Sequence, residues 1–317
     1  MEGLFLNKNP VKGAILKSLV LDDVDLTILN LLARNGRTPY ANIARTIGLT
    51  TKSVKTRIDK MVKEKVTNRF IVFIDPSILG YRITFTFAIR KNKLNQDIID
   101  KIKLIGDIIY QFSVIGGVEG FSIGVRESSE DKLELLLESL KSSMLGVMVQ
   151  THSQPKVSYK FIQTDYQIII QLLHNPRIEI SEIARNISIS IKTVHRRLLK
   201  MQKSGILQFT ILPNPQAIKG QIIFFLEIKV EVSCYKTVFE SVFTKLRNYL
   251  MLSSTHHHQE ETIGLILASE DSFKIELIRS QIEALYGVKE ANIYFPIKME
   301  YYQESIIKAL EKQMLKR

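Results

Sequence analysis

Lys52, Lys55, Arg57 and Lys60 recur 140 residues later as Lys192, His195, Arg197 and Lys200. Cations at this density attract phosphate, and a helix presenting them among short polar side chains suits a nucleic-acid groove. Ser53 and Thr56 accompany the first set, Thr193 and Arg196 the second. Side chains in the N-terminal half of such a helix meet base edges: Ser53, Thr56 and Arg57 in one copy, Thr193, Arg196 and Arg197 in the other. The lysines then contact the phosphates. Arg57 and Arg197 either read a base or brace the fold.

A second group capable of chemistry is His256-His257-His258, followed by Glu260 and Glu261. Imidazole and carboxylate suit zinc, nickel or copper. In a strand, however, neighbouring side chains point to opposite faces, so only His256 and His258 share one site. An exposed turn accounts for the tract better than a metal site does, since short His-rich tracts are weak metal signals, and a proton-sensing role is open. Cys234 is the single cysteine, which excludes an internal disulfide and a multi-thiolate site. No nucleophile–base arrangement, phosphate-binding loop or dinucleotide fingerprint occurs, so a non-enzyme without a cofactor is expected.

These groups must be held by ordered elements. The segment from Ile43 to Met61 matches the segment from Ile183 to Met201 without a gap. In each, a short helix, a turn and a second helix follow one another. Val54, Ile58 and Met61, or Val194, Leu198 and Met201, form the apolar face of the second helix, and Thr50 or Ser190 caps it. This is the pattern of a helix-turn-helix whose second helix enters the major groove. An ordinary helical hairpin with a solvated basic face would give one such pattern; two copies in register argue against it.

With 317 residues the chain exceeds one hydrophobic core, and 45% apolar with 24% charged residues is the balance of a folded protein. A net charge of +12 favours a polyanionic partner. No apolar run approaches the roughly 20 residues that cross a bilayer, so no membrane partner and a cytoplasmic location are expected. After Gly80 strands and helices alternate: strands at 83–90, 108–115, 121–125 and 147–151, with helices at 96–104 and 130–142. That βαββαβ order predicts a ferredoxin-like domain. The second half repeats it, with strands at 222–232, 250–255, 262–268 and 290–295 and helices at 235–246 and 272–285. Gln154-Pro155 opens a connecting strand between the halves, and a final helix spans 303–315.

Leu21 to Leu29, Asn42-Ile43-Ala44, Gly48-Leu49-Thr50, Ser53 to Arg57 and Asp75-Pro76 through Gly80 resemble the DNA-binding domain of the Lrp/AsnC family of prokaryotic transcription regulators. The resemblance spans about fifty residues. It implies an α+β chain with two winged helix-turn-helix domains alternating with two ferredoxin-like domains. The expected division is an extension at 1–20, helix-turn-helix domains at 21–80 and 161–220, ferredoxin-like domains at 81–160 and 221–300, and a C-terminal helix at 301–317. The implied partners are double-stranded DNA and a small effector such as an amino acid. The assembly is either a pseudo-dimer within one chain or a homodimer. Gly116, Gly117 and Glu119 sit where the family has an effector-site loop, without its Asp; a plain hairpin turn explains the glycines as well. Siroheme decarboxylases resemble the same family, and Tyr110 with the three histidines would be cast in that role. A sequence-tolerant, chromatin-like DNA-binding protein is the other alternative to a regulator.

Overall fold

The computed structural model describes residues 19–126, 129–141, 144–151, 159, 161–246, 249–253 and 262–315. A short strand β1 (Leu19–Val20) precedes three helices, α1 (Asp23–Arg34), α2 (Tyr40–Ile47) and α3 (Thr51–Lys63), and then β2 (Thr67–Ile74). Helix α1 starts where Asp22 and Asp25 cap one another's backbone N–H groups, and α2 ends at Gly48 in the left-handed conformation. Ile28, Leu29, Leu32, Ile43, Val54, Ile58 and Met61 are buried together and lock the three helices. Each contributes about 1.5–3 kcal/mol of transfer free energy.

The next unit contains β3 (Tyr81–Arg90), α4 (Gln96–Ile105), β4 (Gly106–Val114), β5 (Val118–Arg126), α5 (Glu130–Leu140) and β6 (Met144–Thr151). Its strands run in the order β4-β5-β3-β6, all antiparallel, as a βαββαβ fold requires. Phe85, Phe87 and Phe121 stack beneath α4 and α5. The second half follows with α6 (Gln163–His174), α7 (Ile180–Asn186), α8 (Ile191–Lys203), β7 (Leu207–Pro213) and β8 (Ile218–Lys219). Then come β9 (Ile222–Val230), α9 (Tyr235–Leu246), β10 (Leu250–Ser253), β11 (Thr262–Ser269), α10 (Ser272–Glu283) and β12 (Val288–Tyr294). The order β10-β11-β9-β12 repeats that of the first sheet.

The two halves are interleaved rather than strung in line. The wing strands β2 and β7 pair antiparallel with each other, Phe70 opposite Ile211 and Ile71 opposite Thr210. Exchanging residues by the 140-residue offset turns one of these pairs into the other, so an approximate two-fold axis passes between the strands. The same exchange relates two arginines. Arg37 donates to the carbonyls of Pro176 and Ile178 at 2.7 and 2.8 Å, and Arg177 donates to those of Gly36 and Thr38. Arg177 also lies over the rings of Tyr40 and Phe70, and Arg37 over that of Phe209.

One feature departs from the sequence reading. Residues up to 300 were expected in the second ferredoxin-like domain, yet β13 (Pro296–Tyr301) leaves that sheet and extends the first one along β4. Helix α11 (Gln303–Leu315) then packs against α6, β4 and the 3₁₀ turn Pro76–Leu79. Apolar Met299, Tyr301, Ile306 and Leu310 are buried there with Tyr81, Ile109 and Leu173. Among the described residues no helix is long and apolar enough to cross a membrane.

Candidate nucleic-acid interface

Helices α3 and α8 are placed in the same way. Thr50 Oγ1 accepts the Ser53 N–H and Ser190 Oγ the Thr193 N–H, each at 3.1 Å. Val54, Ile58 and Met61, and Val194, Leu198 and Met201, turn inward. Lys52, Lys55, Thr56 and Lys60 are consequently exposed with Ser53 half-buried, and Lys192, His195, Arg196 and Lys200 are exposed with Thr193 half-buried. The Thr56 hydroxyl donates back to the Lys52 carbonyl, and the Thr193 hydroxyl lies 2.8 Å from that of Ser190. Each helix therefore carries a basic outer face on an apolar base.

The turns show how two sequences reach one geometry. Gly48 has φ of 70° and its counterpart Ser188 has 55°; Lys65 has 57° and its counterpart Gly205 has 74°. Each half thus carries one glycine and one strained residue at the same two left-handed positions.

Arg57 and Arg197 resolve toward bracing. Arg57 bonds Asp22 at 2.8 Å and Asp25 at 2.7 Å, tying α3 to the cap of α1. These carboxylates raise the Arg57 pKa above the ordinary guanidinium value. The Asp22 carboxyl is held below its usual range, first by the Asp25 backbone N–H and then by Arg57 against the opposing effect of desolvation. Arg197 grips Asp165 with two N–H groups, the Nε contact at 2.6 Å, and Asp165 is fully buried. Tyr159 adds a hydroxyl bond to the same carboxylate at 3.0 Å, and its ring lies beneath the Arg197 guanidinium. Hydrogen bonds to Asp165 lead in raising the Arg197 pKa. Both guanidinia are engaged by carboxylates, with the Arg57 side chain 32% and the Arg197 side chain 15% exposed. A guanidinium one turn along an apolar helix base, with an acid 32 residues earlier in each half, is the signal that would have shown this pairing.

The expected effector turn is corrected in one respect. Gly116 and Gly117 adopt φ of 95° and 73° between β4 and β5, as a tight hairpin demands. Glu119 instead lies inside β5, 6% exposed, and accepts bonds from Ser113 Oγ at 2.8 Å and Gln111 Nε2 at 3.4 Å. The alternation of the strand places its side chain on the sheet face it shares with Ser113 and Gln111. Tyr110 is half-buried on β4 beside Phe112. His256 and His258 lie outside the described residues, as do Gln154 and Pro155.

Two winged helix-turn-helix units with capped basic second helices define a tandem DNA-binding protein. Residues 21–62 match an AsnC-type helix-turn-helix domain, and residues 163–208 a winged helix-turn-helix DNA-binding domain. An uncharacterized HTH-type transcriptional regulator of Pyrococcus furiosus is 28% identical over 38% of this chain and 82% of its own length. The regulatory protein AsnC of Haemophilus influenzae is 26% identical over 32% of the chain and 69% of its own. The crystal structure of the siroheme decarboxylase NirDL covers 93% of the chain and is itself covered over 99%, with 13% identity and a TM-score of 0.47. Residues 21–62 thus carry an AsnC-type helix-turn-helix domain, and the chain resembles HTH-type transcriptional regulators, AsnC among them.

Proposed function

We propose that this chain binds double-stranded DNA sequence-specifically as an intramolecular pseudo-dimer. Helices α3 and α8 enter major grooves about one helical turn apart or a multiple of it. Lys52, Lys55, Lys60, Lys192 and Lys200 hold phosphates, Ser53, Thr56, Thr193, His195 and Arg196 meet base edges, and Arg57 and Arg197 orient the helices. The observation that carries this reading is the matched exposure of the two basic faces on units tied by β2–β7 and by Arg37 and Arg177. A fixed pair of unlike helices calls for an asymmetric operator. A second copy of the chain would add two more helices and bend the DNA between them. Sensing of a small effector is assigned to the ferredoxin-like domains.

Fluorescence anisotropy on the chain's own upstream DNA against scrambled DNA, across a salt series, tests the reading. A tenfold preference, about 1.4 kcal/mol, persisting near physiological salt supports it. Equal affinity for both DNAs at every salt concentration refutes sequence reading and leaves a phosphate-driven binder.

A further inference from the structure

Helices α3 and α8 share a frame but not a surface. Residues 51–60 and 191–200 show the same succession of buried, half-buried and exposed positions. The frame therefore decides which side chains face outward, and the sequence decides what they are. At two of the outward positions the second helix has become apolar: Ile191 stands where α3 has Thr51, and Leu199 where it has Asp59. Ile191 is 56% exposed and Leu199 41%.

Ile191, His195 and Leu199 follow at four-residue intervals and so line one edge of α8, with Leu199 also one turn from Arg196. Lys192, Arg196, Lys200 and Lys203 surround them, and α8 contains no acid. A protein partner covering the two apolar side chains would have to desolvate these cations as well, and charged residues are depleted from the centre of such interfaces. The DNA major groove meets both needs at once. Phosphates line its edges, and the thymine 5-methyl is the apolar group that bases present on its floor.

We infer that Ile191 and Leu199 pack against thymine methyl groups, so that the half-site read by α8 depends on thymine and the half-site read by α3 does not. The inference rests on the DNA-binding reading above and makes these two side chains specificity-determining residues within it. Burial of one methyl group corresponds to about a fourfold change in affinity. The contact involves no charge, so its contribution does not fall with salt as that of a phosphate contact does.

The test starts from DNA that the full chain selects out of a random double-stranded pool. Fluorescence anisotropy then compares the selected sequence with versions in which deoxyuridine replaces every thymidine of one half-site, which removes the methyl groups and keeps the base pairing. Replacement in one half should weaken binding about fourfold per contacted thymine, by the same ratio throughout a salt series. Replacement in the other half should leave affinity unchanged. The double variant Ile191→Ser with Leu199→Gln, altered only at exposed positions, should bind the thymidine and deoxyuridine forms equally. Because the readout is a ratio, a lower overall affinity in the variant does not affect it. A change below about twofold in both halves, an equal change in both, or a ratio that persists in the double variant overturns the inference. Selection that enriches no sequence refutes the DNA reading and this inference with it, whereas enriched DNA indifferent to deoxyuridine refutes the methyl contacts alone.

Discussion

Arg197→Ala should destabilise the protein far more than Arg57→Ala, although the two arginines occupy equivalent positions. Asp165 is fully buried and receives two N–H groups from Arg197, one from the Ile162 backbone and the Tyr159 hydroxyl. Removing Arg197 strips half of these donors and leaves an uncompensated charge where water cannot reach, at a cost of about 3–5 kcal/mol. The Asp22 side chain is 53% exposed. Water takes over most of the Arg57 contribution there, and only Asp25, at 11%, is shielded; the expected loss is about 1 kcal/mol. At roughly 2–4 °C per kcal/mol, Arg197→Ala should lower the melting temperature by about 10 °C and Arg57→Ala by a few degrees. The double variant Asp165→Leu with Arg197→Met should recover most of the larger loss, because both charges leave together. Operator anisotropy is then measured at a temperature where all variants are folded. Unchanged stability in Arg197→Ala with loss of operator preference would refute the bracing assignment and return the guanidinium to base readout.

Lys60→Ala and Lys200→Ala should each reduce the slope of log affinity against log salt by about 0.9, leaving the preference for operator DNA unaltered; a salt titration reads this directly. Ser188→Gly and Lys65→Gly should each stabilise by up to about 1 kcal/mol in urea melts, since relief of left-handed strain exceeds the added chain entropy, whereas Gly48→Ala should destabilise. Arg37→Ala or Arg177→Ala leaves two carbonyls at the junction without their donors and should cost about 1–3 kcal/mol, seen as an earlier transition in calorimetry. The lowered Asp22 carboxyl implies stability that is present above the ordinary carboxylate pKa and lost as pH falls through the lowered folded value. The difference in melting temperature between wild type and Arg57→Ala should accordingly shrink below about pH 4, and a gap that stays constant there would exclude the ion pair as its source.

Much of the fold was legible because each signal was local. Cap residues, apolar periodicity and the 140-residue register locate α1 to α3, α6 to α8 and both βαββαβ units without reference to partners. What could not be read was pairing at long range. Strand β13 carries Pro296 and Lys298 beside alternating apolar residues, a pattern that says strand but not which sheet it joins. Its destination is set by Met299 and Tyr301 finding a core with Ile109 and Tyr81, more than 180 residues away in sequence. The same holds for Glu119: the glycines around it announced a turn, while only the pairing with Ser113 and Ile89 shows that the strand has already begun.

Internal comparison separates what the architecture demands from what it leaves free. The left-handed geometry at two turns survives in both halves although glycine occupies a different one in each. The acid–arginine brace also persists while its surroundings shift from a second exposed aspartate to a half-buried tyrosine. Every one of these features sets the position of α3 or α8, and their outer faces have drifted: Lys55 stands opposite His195, Thr56 opposite Arg196 and Asp59 opposite Leu199. Loss of position would misplace every contact on a helix at once, whereas a change on the outer face alters one contact at a time. A rigid, duplicated frame therefore lets two recognition surfaces diverge independently, which a homodimer of identical chains cannot do.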